Sequence, residues 1–231
     1  LHRFDSLDQA RQLATQWIWE YNNVRPNTAI GGVPPRRLMM AGNPLLKRSV
    51  INGGITLERN FNPDKPNQAW VSDITYVRTH EGFLYVATVL DLFSRRVVGW
   101  SMDKNIDRYL VIRALMTAVW KRQPKERVLV HSDQGSQYGS SDYLAFLKEN
   151  NLQPSMSRRG NCHDNAVAES FFATFKKRVT KKKIYATRDQ AKSEIFNFIE
   201  MFYNPIKRHS HTGGISPAQY EKDYFSRLGS V

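Results

Sequence analysis

The order of apolar patterns after residue 66 is the feature that most restricts how this chain can fold. Apolar and polar residues alternate over 71–79, and residues 83–92 are rich in β-branched and aromatic side chains. These two segments and residues 95–102 are predicted to form three strands. A turn at 80–82 joins the first two. Three strands able to pair antiparallel, followed by alternating helices and strands, favour an α/β fold with a mixed sheet and helices on both faces.

The later elements follow from the same periodicities. A helix over 107–122 has an apolar stripe at Leu110, Ala114, Leu115 and Ala118. The other predicted elements are a buried strand at 127–131, a helix at 140–150 capped by Ser140, a strand at 152–156, and helices at 163–183 and 189–203.

Net charge narrows the choice of partners. The chain has 34 Lys+Arg against 21 Asp+Glu, a formal charge of +13. A field of this sign attracts polyanions, nucleic acid before an anionic membrane surface. The most apolar run, 83–93, is too short to span a bilayer, so no membrane partner is expected. The single cysteine, Cys162, excludes an internal disulfide and a cysteine-rich zinc site.

Two segments near opposite ends of the chain are alike. Residues 4–35 and 185–217 both contain Asp-Gln-Ala, an aromatic-rich helical stretch, Tyr-Asn, a basic turn, and Gly-Gly followed by Pro. Ser6 and Thr187 are the predicted helix caps. The two copies are either similar helical hairpins or one type of module present at both ends.

Three carboxylates stand where a mixed sheet gathers functional side chains. Asp73 lies inside the first strand, Asp133 directly follows the fourth, and Glu169 shares a helix face with Asn165. Taken singly, Asp73 could be ion-paired, Asp133 a turn residue and Glu169 a solvated helix residue. Taken together, three acids suit phosphodiester cleavage, because divalent ions held by carboxylates activate a water and stabilise the leaving oxygen.

These acids fall in motifs that resemble insertion-sequence transposases of the orfB type, whose catalytic core is similar to retroviral integrases (the DDE group). The motifs are AWVSDITYVRT at 69–79, YVATVLDLFSRRVVGWSM at 85–102, HSDQGSQY at 131–138, SRRGNCHDNAVAESFFATFKKR at 157–178 and FYNPIKRHSHTGGISPAQYE at 202–221. Between Asp133 and Glu169 there are 35 residues, the spacing typical of this family.

The resemblance implies a ribonuclease H-like fold and two-metal chemistry with Mg²⁺ or Mn²⁺. Carried onto this sequence, Asp73, Asp133 and Glu169 would be the catalytic residues and metal ligands. Water would cleave at the element's end, and the freed 3′-hydroxyl would attack a second phosphodiester bond. The implied partners are double-stranded DNA, at element ends and target, and further copies of the chain on that DNA. The implied location is the bacterial cytoplasm, on the nucleoid.

Basic residues around the Glu169 helix are the candidate DNA contacts. They are Arg158, Arg159, Lys176, Lys177, Arg178, Lys181, Lys182 and Lys183. A solvated, charged helix end is the alternative; given the family, we predict phosphate contacts without sequence readout. His131 is expected to form hydrogen bonds near the site, and Asp91 is not assigned to the metals.

The segment before the core departs from the family pattern. Related full-length transposases carry a helix-turn-helix region there, whereas residues 4–40 resemble the tail of another transposase. We therefore expect the core to be N-terminally truncated, with a separately encoded helix-turn-helix partner as one way to supply recognition. The predicted division is a transposase-tail-like helical segment (1–45), a linker (46–66), the integrase catalytic core (67–184) and a C-terminal helical tail (185–231).

Two other functions compete with a transposase. The first is a catalytically unproductive, DNA-binding transposase remnant, favoured by the missing recognition region and opposed by the intact acids. The second is a ribonuclease H-like nuclease acting on RNA–DNA hybrids, opposed by the spacing from Asp133 to Glu169.

Removal of residues 1–45 tests the predicted division. We expect the shortened chain to unfold as cooperatively as the full chain, because the core and its tail would bury their apolar surface without that segment. Thermal unfolding followed by circular dichroism measures this. A shortened chain in which residues 67–205 no longer fold would contradict the division.

Overall fold

A computed structural model describes residues 63–133, 135–156, 166–181 and 183–229. The predictions made for the N-terminal segment and most of the linker, and for Arg158, Arg159 and Lys182, lie outside the described residues.

Five strands of the described chain form one mixed sheet in the order β3-β2-β1-β4-β5. They are β1 (Ala69–Thr79), β2 (Gly82–Asp91), β3 (Val97–Asp103), β4 (Val128–Ser132) and β5 (Leu152–Met156). β1 pairs antiparallel with β2, and β2 with β3, whereas β1 pairs parallel with β4, and β4 with β5. The predicted mixed sheet is confirmed, with β1 at its centre.

The described α-helices are α1 (Arg108–Arg122), α2 (Ser141–Glu149), α3 (Ala166–Phe175), α4 (Arg188–Phe196) and α5 (Pro217–Leu228), of which the first four pack on the sheet. The helices α3 and α4 continue into the π-helical segments Lys176–Thr180 and Asn197–Tyr203. The predicted caps Ser140 and Thr187 are confirmed, since each side chain accepts a backbone N–H of the following helix. Among the described residues, no helix combines the length and the apolar character needed to cross a bilayer.

The predicted helix over 163–183 extends too far at its C-terminal end. The π-helical segment ends at Thr180. Tyr185 accounts for this, because its N–H donates to Arg78 O (3.3 Å) and its carbonyl accepts from His80 N (2.9 Å). The chain must leave the helix to make this bridge beside β1.

The third predicted strand starts too early. Arg95 has a φ of 65°, which no strand residue adopts. Its N–H donates to Asp91 O at 2.8 Å, while the Asp91 carboxylate accepts from Phe93 N and Ser94 N. This tight turn delays β3 until Val97.

Each face of the sheet has its own apolar core. Trp70 and Val71 are neighbours in β1 and almost fully buried, on opposite faces. The core beneath Trp70 includes residues of α1 and α2, and the core beneath Val71 includes residues of α3 and α4. The predicted stripe of α1 is fully buried. Gly99 on β3 allows α1 to approach, because a Cβ there would lie 2.2 Å from Ala114 O.

A buried ionic cluster attaches the C-terminal tail to the core. Glu221 on α5 is 2% exposed and accepts hydrogen bonds from Ser94 Oγ (2.7 Å), Arg96 Nη1 (2.7 Å) and Arg122 Nη1 (2.9 Å). The Arg122 guanidinium also lies 3.6 Å from the fully buried Asp91. Burial raises the pKa of Asp91. Burial acts the same way on Glu221, but hydrogen bonds and charge from Arg122 and Arg96 outweigh it and lower the pKa of that carboxyl.

Asn204 forms a second attachment, at the edge of the sheet. Its Oδ1 accepts from Val97 N (2.9 Å) and its Nδ2 donates to Val97 O (3.0 Å). The side-chain amide thus pairs with the β3 backbone as a further strand would. Tyr203-Asn204 is the pair that recurs as Tyr21-Asn22 in the N-terminal repeat.

The substitution Glu221→Gln tests whether the ionic cluster holds the tail. We expect the free energy of unfolding to fall by about 3 kcal/mol, because the buried Arg122 guanidinium loses the nearer of its two compensating carboxylate charges. The control Asp223→Asn makes the same charge change on α5 at a carboxylate that accepts from Gln219 at the surface, and should cost less than about 0.5 kcal/mol. Urea unfolding measures both, and equal losses would contradict this role.

Candidate active site

The register of β1 with β4 relates two of the three predicted acids. The parallel ladder pairs Ala69 with Leu129 and ends with Val71 opposite His131. Extended by two residues, the same register would set Asp73 level with Asp133. Because residues two apart on a strand share a face, Asp73 lies on the face of Val71, which α3 and α4 cover. The strand β4 ends at Ser132, so Asp133 stands exposed at its carboxyl end.

Backbone N–H groups orient both carboxylates. Asp73 Oδ1 accepts from Ile74 N at 2.7 Å, and Asp133 Oδ1 accepts from Gly135 N at 2.9 Å. A Cβ on Gly135 would lie 3.0 Å from that same Asp133 oxygen. A glycine at this position therefore avoids a steric clash with the carboxylate. A half-buried and an exposed carboxylate are thus held in defined orientations.

Glu169 lies in the first turn of α3, on its exposed side. The predicted neighbouring stripe is confirmed, because Ala168, Phe172, Phe175 and Val179 are buried. That stripe packs α3 onto the same sheet face that carries Asp73. Within the described ranges, no three His, Cys, Asp or Glu side chains are grouped to hold a metal. The three predicted acids are therefore not grouped as one metal site in the described part of the chain, and the β1–β4 register is what relates Asp73 to Asp133.

The donor chemistry of the two aspartates fits a divalent cation. Carboxylate oxygens are the hard ligands that Mg²⁺ prefers, and a few of them suffice when waters and substrate phosphates complete the shell. The assignment of a metal to Asp73, Asp133 and Glu169 stays a prediction.

Residues behind the aspartates complete the surroundings of the site. His131 is fully buried, as predicted for a hydrogen-bonding residue, and its Nδ1 lies 2.9 Å from Ser155 Oγ on β5. Tyr138 is also buried, with its hydroxyl 3.2 Å from Ser72 Oγ. It is not among the site residues predicted from the sequence, although an aromatic residue five positions after Asp133 is the pattern that could have indicated it. Burial, reinforced by Tyr143 and the two aspartates, raises the pKa of Tyr138 well above its ordinary value.

Basic side chains continue along the helix beyond Glu169. Two of the candidates also contact the protein: the Arg178 guanidinium lies 3.6 Å from the centre of the Phe202 ring, and Lys183 Nζ lies 3.5 Å from Glu194 Oε1. The other described candidates are exposed; they are Lys176, Lys177 and Lys181. We call these three exposed lysines, Lys176, Lys177 and Lys181, the basic segment.

Family models place the whole described region among known proteins. A model described as "Integrase core domain" matches residues 63–162, a second of the same description matches 169–225, and a third matches 1–35. The first two cover the sheet and most of the helices, leaving out the start of α3 and the end of α5. The third falls on the N-terminal repeat.

Curated relatives are bacterial insertion-sequence proteins. The chain is 47% identical over 165 residues to Transposase InsF for insertion sequence IS3A of Escherichia coli (strain K12), covering 71% of this chain and 57% of the relative. It is 42% identical over 168 residues to the insertion element IS600 uncharacterized 31 kDa protein of Shigella sonnei, covering 73% and 62%. The chain thus spans less than two thirds of the length of these relatives.

Solved structures of similar fold come from retroviruses. A chain of the simian T-cell lymphotropic virus intasome, in complex with PP2A regulatory subunit B56 gamma, has a TM-score of 0.57 at 14% identity, covering 84% of this chain and 68% of that chain. The HTLV-2 integrase catalytic core domain in complex with magnesium has a TM-score of 0.52 at 17% identity, covering 68% and 97%. These likenesses confirm the predicted ribonuclease H-like, integrase-type fold.

Proposed function

The chain belongs to the integrase core family of insertion-sequence transposases, and we propose that it is the catalytic part of such an enzyme, a polynucleotidyl transferase that cuts DNA and joins a 3′-hydroxyl end to a second DNA. The observation that carries the proposal is the parallel register of β1 and β4, which extended by two residues would set Asp73 on β1 level with Asp133, directly after β4. The sequence similarity to bacterial transposases supports the same reaction.

Asp73 and Asp133 would hold the metal, with Glu169 as the third ligand. When bound, two Mg²⁺ or Mn²⁺ ions would activate the attacking oxygen and stabilise the leaving oxygen of the phosphodiester. The N–H groups of Ile74 and Gly135 keep the aspartates oriented before any ligand arrives. The assignment of Glu169 rests on motif spacing, and its position on a helix covering the same sheet face supports it.

The substrate we propose is double-stranded DNA, at element ends and at the target. Water attacks first at the element end, and the 3′-hydroxyl released there attacks the target. The exposed lysines after α3 meet DNA phosphates, with Arg158, Arg159 and Lys182 as further proposed contacts. The enzyme works as a homo-oligomer on DNA in the bacterial cytoplasm; the HTLV-2 core has been solved in dimeric and trimeric forms, which supports assembly.

The N-terminal segment is proposed to be the tail of a second transposase. Its separate match to an integrase core model over residues 1–35 supports this division. The residues proposed as core, 67–184, and as C-terminal tail, 185–231, together form the catalytic unit.

A strand-transfer assay tests the proposed reaction. The purified chain is mixed with a labelled duplex bearing a free 3′-hydroxyl, target plasmid and Mn²⁺. Asp133→Asn, Asp73→Asn and Glu169→Gln should each lower joined product by about 10²-fold or more, the order found when a preorganised charged group leaves an active site. Asp142→Asn is the matched control, because it makes the same change at an exposed carboxylate on α2. The Asp142 side chain forms an ion pair with Arg108 at 2.7 Å and is not among the proposed catalytic acids.

Joined product that is equal in all four variants would refute the site. Salt-sensitive DNA binding without product in the unaltered chain would favour the DNA-binding remnant, and cleavage confined to RNA–DNA hybrids would favour the nuclease.

The basic segment predicts a salt signature. A variant with Lys176→Ala, Lys177→Ala and Lys181→Ala should bind duplex DNA more weakly, and its log affinity should fall less steeply with log salt, by about 0.9 for each phosphate that the variant no longer neutralises. The control replaces three exposed lysines elsewhere, Lys104, Lys125 and Lys148, and has the same net charge. Fluorescence anisotropy between low and moderate salt measures both. Equal slopes in the two variants would contradict a localised phosphate-binding surface.

A further inference from the structure

The backbone ladder between β1 and β4 stops just short of the two aspartates. Its last pair is Val71 with His131, whereas the carboxylates stand two residues farther on. The adjoining ladder from β4 to β5 continues to Ser132 and Met156. The spacing of Asp73 and Asp133 therefore depends on contacts beyond the β1–β4 backbone pairs.

A chain of three hydrogen bonds connects Asp133 with the residue before Asp73. Asp133 Oδ1 accepts from Gly135 N (2.9 Å), Gly135 O accepts from Tyr138 N (3.0 Å), and the Tyr138 hydroxyl lies 3.2 Å from Ser72 Oγ. Ser72 is completely buried and Tyr138 is 1% exposed. The last bond is thus shielded from water, where a hydrogen bond is strong and an unmade one costly.

The surroundings leave this chain of bonds little freedom. The Tyr138 ring meets the Tyr143 ring edge-on, with centroids 5.4 Å apart, within the core formed with α1 and α2. A Cβ on Gly135 would lie 2.9 Å from Gln137 Oε1 and 3.0 Å from Asp133 Oδ1. Ser72 faces this core because its neighbour Asp73 faces the opposite side of the sheet.

We propose that Tyr138 is a positioning residue, which sets the separation of the Asp73 and Asp133 carboxylates through its hydrogen bond to Ser72. Its hydroxyl is buried, so it acts through the aspartates and does not touch DNA. Its consequence for metal binding rests on the proposed function. Substitution of a residue that supports a metal ligand commonly lowers metal affinity by about 10- to 100-fold. Burial keeps the hydroxyl protonated, as its raised pKa indicates, so it can share a hydrogen bond with Ser72.

The test uses the full chain and pairs each variant with a matched control. Tyr138→Phe and Ser72→Ala each remove one partner of the bond. Tyr185→Phe removes a buried tyrosine hydroxyl that donates to Val179 O at 2.7 Å, and Ser101→Ala removes a buried serine hydroxyl that donates to Leu110 O at 2.6 Å. The controls thus lose comparable bonds away from the aspartates.

The first measurement is amide hydrogen exchange by NMR without metal. The Ile74 and Gly135 amides donate to the two carboxylates, so their exchange reports how firmly the carboxylates are held. We expect exchange at both amides to be about three- to tenfold faster in Tyr138→Phe and Ser72→Ala than in the controls, the effect of one lost hydrogen bond. The double variant should add little, because both changes break the same bond.

The second measurement is Mn²⁺ binding by titration calorimetry. The Mn²⁺ dissociation constant should rise about tenfold in Tyr138→Phe and stay unchanged in Tyr185→Phe. Exchange at Ile74 and Gly135 that matches the controls would overturn the proposal. The proposed metal site fails if the unaltered chain does not bind Mn²⁺, or if Asp133→Asn leaves Mn²⁺ binding unchanged. In either case the exchange rates still decide whether Tyr138 positions the aspartates.

Discussion

β1 pairs in parallel with β4 so that Val71 faces His131, and the candidate site depends on that register. Side chains alternate along a strand, so a slip of one residue would turn Asp73 into the core behind the sheet and Ser72 out of it. Trp70 and Val71 oppose such a slip, because each fills a different core and neither is more than 1% exposed. The burial of Trp70 and Val71 therefore fixes the strand register on which the position of Asp73 depends.

Charge has a structural use as well as a functional one in this protein. Arg122 ends α1 and lies between Asp91, at the end of β2, and Glu221 on α5. Burying these groups singly would be costly, but each compensates the others. The cluster joins the C-terminal tail to the sheet at the end of β2, where β1 begins, whereas the candidate site lies at the carboxyl end of β4.

Local patterns predicted the elements well and their ends less well. The strand alternation, the α1 stripe and the caps at Ser140 and Thr187 are properties of neighbouring residues, and the structure confirms them. The two misplaced ends have different causes. The helix ends early because Tyr185 pairs with β1, a contact between distant parts of the chain that periodicity within a short window does not detect. The strand β3 starts late because Asp91 accepts hydrogen bonds from residues two to four positions later, a local turn that apolar alternation does not predict.

The sequence by itself determined the α/β class, the order of elements, the family resemblance and the choice of Asp73, Asp133 and Glu169 as candidate acids. Short-range periodicity and motif spacing are written in consecutive residues, and these conclusions need nothing more. Only the tertiary structure decided that β1 pairs with β4 in the register that relates Asp73 to Asp133, that the three acids form no grouped metal site among the described residues, and that the buried Tyr138 hydroxyl lies beside Ser72. Pairing of β1 with β4 joins residues 60 positions apart, as Val71 and His131 are, and such a distance is closed by packing, which no local pattern encodes.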